Sequence, residues 1–192
     1  NNGGFIWARG FGSTSEEYSG GIIINNSGNV YIAGSFDGTV DFDPGPGVAW
    51  MVADTTNAGY VCKFDAAGNF VWVREIDPVA GSALTTNIAC NAQGDVFAAG
   101  QFLGTVDMDP GPGAITLVNQ GQSSAYIARW DSAGNIAWAR GFGGDSTTVV
   151  NGLQIDAMDN LFFAGYFNGT TDFDPGPGTT NHTSQLKDIF IG

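Results

Sequence analysis

What most constrains this 192-residue chain is that it is written nearly three times over. Phe36-Asp-Gly-Thr-Val-Asp41-Phe-Asp43-Pro-Gly-Pro-Gly47 returns as Phe102-Leu-Gly-Thr-Val-Asp107-Met-Asp109-Pro-Gly-Pro-Gly113. It returns again as Phe167-Asn-Gly-Thr-Thr-Asp172-Phe-Asp174-Pro-Gly-Pro-Gly178. Trp7-Ala-Arg9 recurs as Trp72-Val-Arg74 and Trp138-Ala-Arg140, and Ala33-Gly34 as Ala99-Gly100 and Ala164-Gly165. All three markers step by 65 or 66 residues. Such a period means a repeat architecture, in which each unit buries its apolar faces against its neighbours.

Within one period the pattern is short strands between tight turns. An apolar run at 21–24 is followed by the turn cluster Asn26-Ser27-Gly28-Asn29 and a strand at 30–36. A third strand at 60–64, the turn Asp65-Ala-Ala-Gly68-Asn69 and a fourth strand at 70–76 complete the unit. The second unit repeats this at 87–90, 96–102, 126–130 and 136–142. No stretch has helical periodicity. The chain therefore reads as all-β, a β-propeller-type array of three blades of about 65 residues with four antiparallel strands each. Residues 1–19 hold the last strand of a preceding or closing blade, 20–84 the first blade, 85–150 the second, and 151–192 an incomplete third. Residues 5–11 match a fourth strand and 188–192 the start of a third, so the two are expected to pair. Closed propellers carry four to eight blades, so three imply completion by further repeats or by other copies. Unpaired strand edges are association sites.

Charge and composition narrow the function. Nineteen acidic against six basic side chains give a net charge of −13, which repels phosphate backbones and excludes a nucleic-acid role. No apolar run reaches the length of a transmembrane helix. One histidine, His182, and two cysteines exclude a Cys/His zinc site. Cys62 and Cys90 fall on small and apolar register positions and read as buried free thiols. No nucleophile elbow or phosphate-cradling loop is present, and three near-identical acid pairs do not look like one differentiated active site. The chain reads as no enzyme.

Three sets of residues carry the candidate sites. Asp41 with Asp43, Asp107 with Asp109, and Asp172 with Asp174 are paired carboxylates ahead of Pro-Gly-Pro-Gly. One reading is a Ca2+ site per repeat, since carboxylates and loop carbonyls supply hard oxygen ligands. The other is a type II turn, with proline and glycine at its centre and an Asp carboxylate capping it. Arg9, Arg74 and Arg140 are half of all basic residues and recur once per repeat, so each is expected to pair with an Asp carboxylate within or between blades. Trp7, Trp72 and Trp138 read as packing between blades. Trp50 lies outside that register and is the candidate for an exposed partner contact. The segments 48–58, 114–124 and 179–187 differ most among repeats and are where partner contacts are expected.

The run Gly-Asn-Val-Tyr-Ile-Ala-Gly-Ser-Phe at 28–36, the Asp-Phe-Asp-Pro-Gly-Pro-Gly tail and Tyr-Ile-Ala-Arg-Trp-Asp-Ser-Ala-Gly-Asn-Ile-Ala-Trp-Ala-Arg at 126–140 resemble the bacterial β-propeller repeat family abbreviated SBBP. That resemblance implies secreted or surface-exposed bacterial proteins, often very long and often exported by type IX secretion, with no single assigned activity. The expected function is a non-enzymatic extracellular module for assembly, adhesion or display. Its expected partners are further repeats or other copies of itself, a cell-surface protein, or a glycan. A glycan-binding propeller is the alternative, and a polysaccharide-acting enzyme a remote one.

Overall fold

The computed structural model describes residues 2–109 and 113–192, and for 54–56 the backbone alone. Among the described residues there are strands and turns and no helix. The strands are β1 (Glu17–Ile24), β2 (Val30–Asp41), β3 (Trp50–Phe64), β4 (Phe70–Cys90), β5 (Val96–Asp107), β6 (Thr116–Val118), β7 (Ser124–Trp130), β8 (Ile136–Gly144), β9 (Thr148–Ile155), β10 (Leu161–Asp172) and β11 (Asn181–Ile191). They form three antiparallel meanders, the blades of a propeller-type array. Blade 1 is β1, β2, β3 and residues 70–76 of β4. Blade 2 is residues 77–90 of β4, then β5, β7 and β8, with β6 beside β5. Blade 3 is β9, β10 and β11. The last strand of blade 1 thus runs straight on as the first strand of blade 2.

Each crossover is pinned to the same place in the blade that follows. Gly12 bridges Asp41, Asp77 pairs with Asp107, and Gly143 pairs with Asp172. The first Asp of each acidic pair therefore sits where the chain passes from one blade to the next.

Five hairpin turns share one construction. At each, an Asn or Asp opens the turn and its Oδ1 accepts the N–H groups two and four residues on, as at Asn25, Asp65, Asn91, Asp131 and Asp156. The fourth residue takes left-handed φ, 78° at Gly68 and 85° at Gly134, which glycine reaches without strain. In blade 3 that place is held by Asp159, with φ 63°.

Strand alternation puts the core in the seams between blades. In β5, Val96, Ala98 and Phe102 join Tyr31, Val61 and Trp72 of blade 1 in one cluster. The intervening Phe97 and Ala99 join Val150 and Leu153 of blade 3 in another. The middle sheet is thereby buried on both faces, a pattern that only a stack of sheets produces.

Two expectations differ from this. Residues 5–11 form no strand and do not lie beside 188–192. Instead Trp7 and Phe11 pack on the free face of blade 1, with Phe11 5.2 Å from Phe42 and 5.9 Å from Phe64 between ring centres. The three blades are an open arc. The variable segments are also less loop-like than expected, because the first arm of strand 3 pairs with the far end of strand 2. Trp50 lies opposite Asp41, Thr116 opposite Asp107 and Asn181 opposite Asp172.

Candidate functional site

The acidic loops close the hairpins between strands 2 and 3. In blade 1, Phe42 N–H donates to the Ala49 carbonyl (3.1 Å), and Asp41 Oδ1 accepts from Asp43 N–H (3.0 Å) and Ala49 N–H (2.8 Å). Met108 with Ile115 and Asp107, and Phe173 with Thr180 and Asp172, repeat the same three bonds. Asp43 and Asp174 then each take the N–H two residues on, Gly45 and Gly176, both at 2.7 Å. Phe42 and Met108, between the paired acids, are fully buried and anchor the loop from below. Hydrogen bonds from Thr180 and Asp174 N–H hold the Asp172 carboxyl below the ordinary carboxylate range.

Of the two readings of Asp-x-Asp-Pro-Gly-Pro-Gly, these bonds build a turn, but a different one from that expected. A type II turn needs left-handed φ at its third residue, and neither Gly45 nor Gly176 has it. The final glycine instead gives room to the second carboxylate of its loop. A Cβ on Gly47 would stand 2.3 Å from Asp43 Oδ2, and on Gly113 or Gly178 2.1 Å from Asp109 or Asp174 Oδ2. Among the described residues, no three His, Cys, Asp or Glu side chains gather as a metal site, and 110–112 of the second loop lie outside them.

The repeated Trp-x-Arg belongs to the seams. Trp7 Nε1 donates to the Ala66 carbonyl (3.3 Å) and Arg9 Nε to the Gly68 carbonyl (3.1 Å). One repeat later, Trp72 Nε1 donates to Ser132 (3.3 Å) and Arg74 Nε to Gly134 (2.6 Å). Residues 7–9 and 72–74 therefore each grip the strand 3–4 turn of the blade that follows. The gripped glycine lies flat on the gripping tryptophan: a Cβ on Gly68 would meet the Trp7 ring at 2.8 Å, and on Gly134 the Trp72 ring at 3.0 Å. The arginines thus bond backbone carbonyls, not Asp carboxylates. The reason is local: Asp65 and Asp131 already accept N–H groups of their own turns and the side-chain amide of Asn69 or Asn135. Those bonds lower both carboxyls. Arg140 Nη1 donates to the Ala139 carbonyl, as Arg9 does to Ala8 and Arg74 to Val73.

Two basic residues that drew no attention in the sequence complete the seams. Lys63 Nζ donates to Ser132 (2.8 Å) across the Tyr31 ring, and Tyr31 OH donates to Gly94. Arg129, one repeat on from Lys63, instead pairs with Asp95 (2.5 Å) of its own blade and leaves its Nε buried without an acceptor. It is the ion pair found among the described residues. The recurrence of a base 66 residues apart was the readable signal.

Both cysteines are free thiols; Cys62 is buried and burial raises its pKa. His182 packs edge-on to Phe173. Trp50 is 58% exposed, with Val48 and Val52 exposed at alternate positions beside it. The three make an apolar stripe next to the braced acidic loop. A cavity of about 420 Å³ lies between β1 and β4, lined by Tyr18, Asn57, Leu84 and Thr86 among others. Among the described residues no helix is long and apolar enough to cross a membrane.

No family model matches the chain. Among curated proteins it is similar to an uncharacterized WD repeat-containing protein of Acanthamoeba polyphaga mimivirus, 26% identical over 97% of this chain. The chain spans 15% of that relative's length.

Proposed function

We propose that this chain is a non-enzymatic structural and adhesive repeat module that works outside the cell, holding partner proteins against the strand 2–3 rim of its blades. The observation that carries this reading is the Val48–Trp50–Val52 stripe, an exposed apolar strip fixed to a rigid hairpin. Scattered apolar residues are normal on a surface, whereas a contiguous strip beside a braced loop marks a contact site. The WD repeat relative supports an interaction role, and the family resemblance supports export. The acidic, lysine-poor surface keeps such a module from sticking to anionic polymers.

The test is adhesion of beads carrying the chain to bacterial cells, with Trp50→Ala as the variant. Loss of adhesion at unchanged thermal stability supports the site, and unchanged adhesion overturns it. An exposed tryptophan also serves a glycan-binding propeller. Binding on a glycan array that Trp50→Ala abolishes replaces the protein partner with a carbohydrate.

A further inference from the structure

We infer that the cavity between blades 1 and 2, beside β1, binds an uncharged sugar. It lies apart from the Trp50 rim and stands without the module function proposed above.

The cavity arises from a difference between the two seams at equivalent places. The first strand of every blade carries a β-bulge at the same point, between Ser19 and Gly21, Thr85 and Asn87, and Val150 and Gly152. A bulge re-aims the side chains at it. In the second seam it aims two of them at blade 3: Thr86 Oγ1 (3.3 Å) and Asn87 Nδ2 (3.1 Å) both donate to the Val150 carbonyl. The same two places in blade 1 are Gly20 and Gly21, and the same carbonyl in blade 2 is that of Thr85. No side chain crosses there. A Cβ on Gly20 would stand 2.1 Å from the Thr85 oxygen, so the two strands meet backbone to backbone. The space beside that contact stays open at about 420 Å³, a volume within the range of small-molecule sites.

The lining sets the ligand. Tyr18 is 54% exposed, and its OH donates to Glu16 Oε2 (2.5 Å), which fixes the ring as a flat apolar platform. Thr85 and Thr86 use their hydroxyls on Tyr126 and Val150. Ser35, 4% exposed, and Asn57 make no side-chain hydrogen bond among the described residues, so a hydroxyl and an amide line the cavity with their bonds unmade. No charged side chain lines it, so a charged ligand would lose its water without gaining a partner. Glu16 beside Tyr18 adds repulsion for anions. A neutral molecule with several hydroxyls and one apolar face meets all of these conditions, and a sugar ring is that molecule. It brings from solution the kind of donors that Thr86 and Asn87 supply in the second seam.

The experiment follows the backbone amides of the isotope-labelled full chain by NMR during titration with glucose, N-acetylglucosamine or glucuronate. The two neutral sugars are expected to shift the Gly20, Gly34 and Ser35 amides saturably at millimolar concentration, and glucuronate to shift none of them. Absence of saturable shifts with both neutral sugars, or equal shifts with glucuronate, overturns the inference. Ser35→Gln gives blade 1 the side chain that Gln101 supplies at the equivalent place in blade 2. It is expected to fill the cavity and abolish the shifts. Tyr18→Ala is the second variant, at an exposed position, and is expected to leave thermal unfolding unchanged while weakening binding about tenfold. Unchanged affinity in Tyr18→Ala, or in a folded Ser35→Gln, overturns the site. Shifts that centre on Trp50 and vanish in Trp50→Ala place the sugar at the rim and overturn it too. Failure of bead adhesion through Trp50 is a separate readout and leaves the cavity reading intact.

Discussion

Gly47, Gly113 and Gly178 show what a single position decides in this chain. Each lies so close to the second Asp of its loop that a Cβ would displace that carboxylate, although its φ is ordinary. Gly47→Ala is expected to destabilise the protein by about 1 kcal/mol in chemical denaturation, the worth of the Gly45 N–H bond that a displaced Asp43 carboxylate would lose; an unchanged midpoint would mean the loop relaxes freely. Trp72, buried in the first seam, is expected to cost about 3–5 kcal/mol when replaced by alanine. The turn-opening carboxylates Asp65, Asp131 and Asp156 are each held below the ordinary range, by the Asn69, Asn135 and Asn160 hydrogen bonds first. Groups lowered in the fold stabilise it above the unfolded value near pH 4 and give that up as pH falls through their folded values. Thermal stability is therefore expected to hold from neutral pH to about pH 5 and to fall progressively below pH 4. Stability that instead rises on acidification contradicts the turn assignment.

At the scale of elements, the sequence made the strands and hairpin turns legible because both are local. Apolar alternation and an Asx-Gly turn are each contained within a few residues. The strand lengths were not, since the variable stretch at 50–53 has no repeated partner in sequence to mark its pairing with 38–41. Nor was the role of the arginines legible. Counting charges favours a carboxylate partner, but the carboxylates are used within their own turns and the repeated Gly carbonyl is the acceptor left in reach. The tryptophans were readable as seam residues from their strand-like neighbours. The acidic loops invited both a cation and a turn, and Asp41, Asp107 and Asp172 close them with two N–H bonds apiece. EGTA is accordingly expected to leave the melting temperature unchanged. A melting temperature that climbs with added Ca2+ would show that the loops take a cation.

At the scale of the whole molecule, three sheets stacked face to face cover the middle one on both faces and leave the outer two half covered. The repeat period foretold the stack. It did not foretell where residues 5–11 go, because a fourth strand has two sets of neighbours and sequence similarity specifies both at once. The structure separates them: the contacts to the following blade are made within the chain, and the pairing with a third strand is not. Chemical denaturation of Arg74→Ala tests the seams that hold the stack most directly, because that side chain donates to the Gly134 carbonyl of the next blade. The account predicts a loss of about 1.5–3 kcal/mol, the worth of a hydrogen bond from a charged donor. An unfolding midpoint equal to that of the parent chain would contradict it.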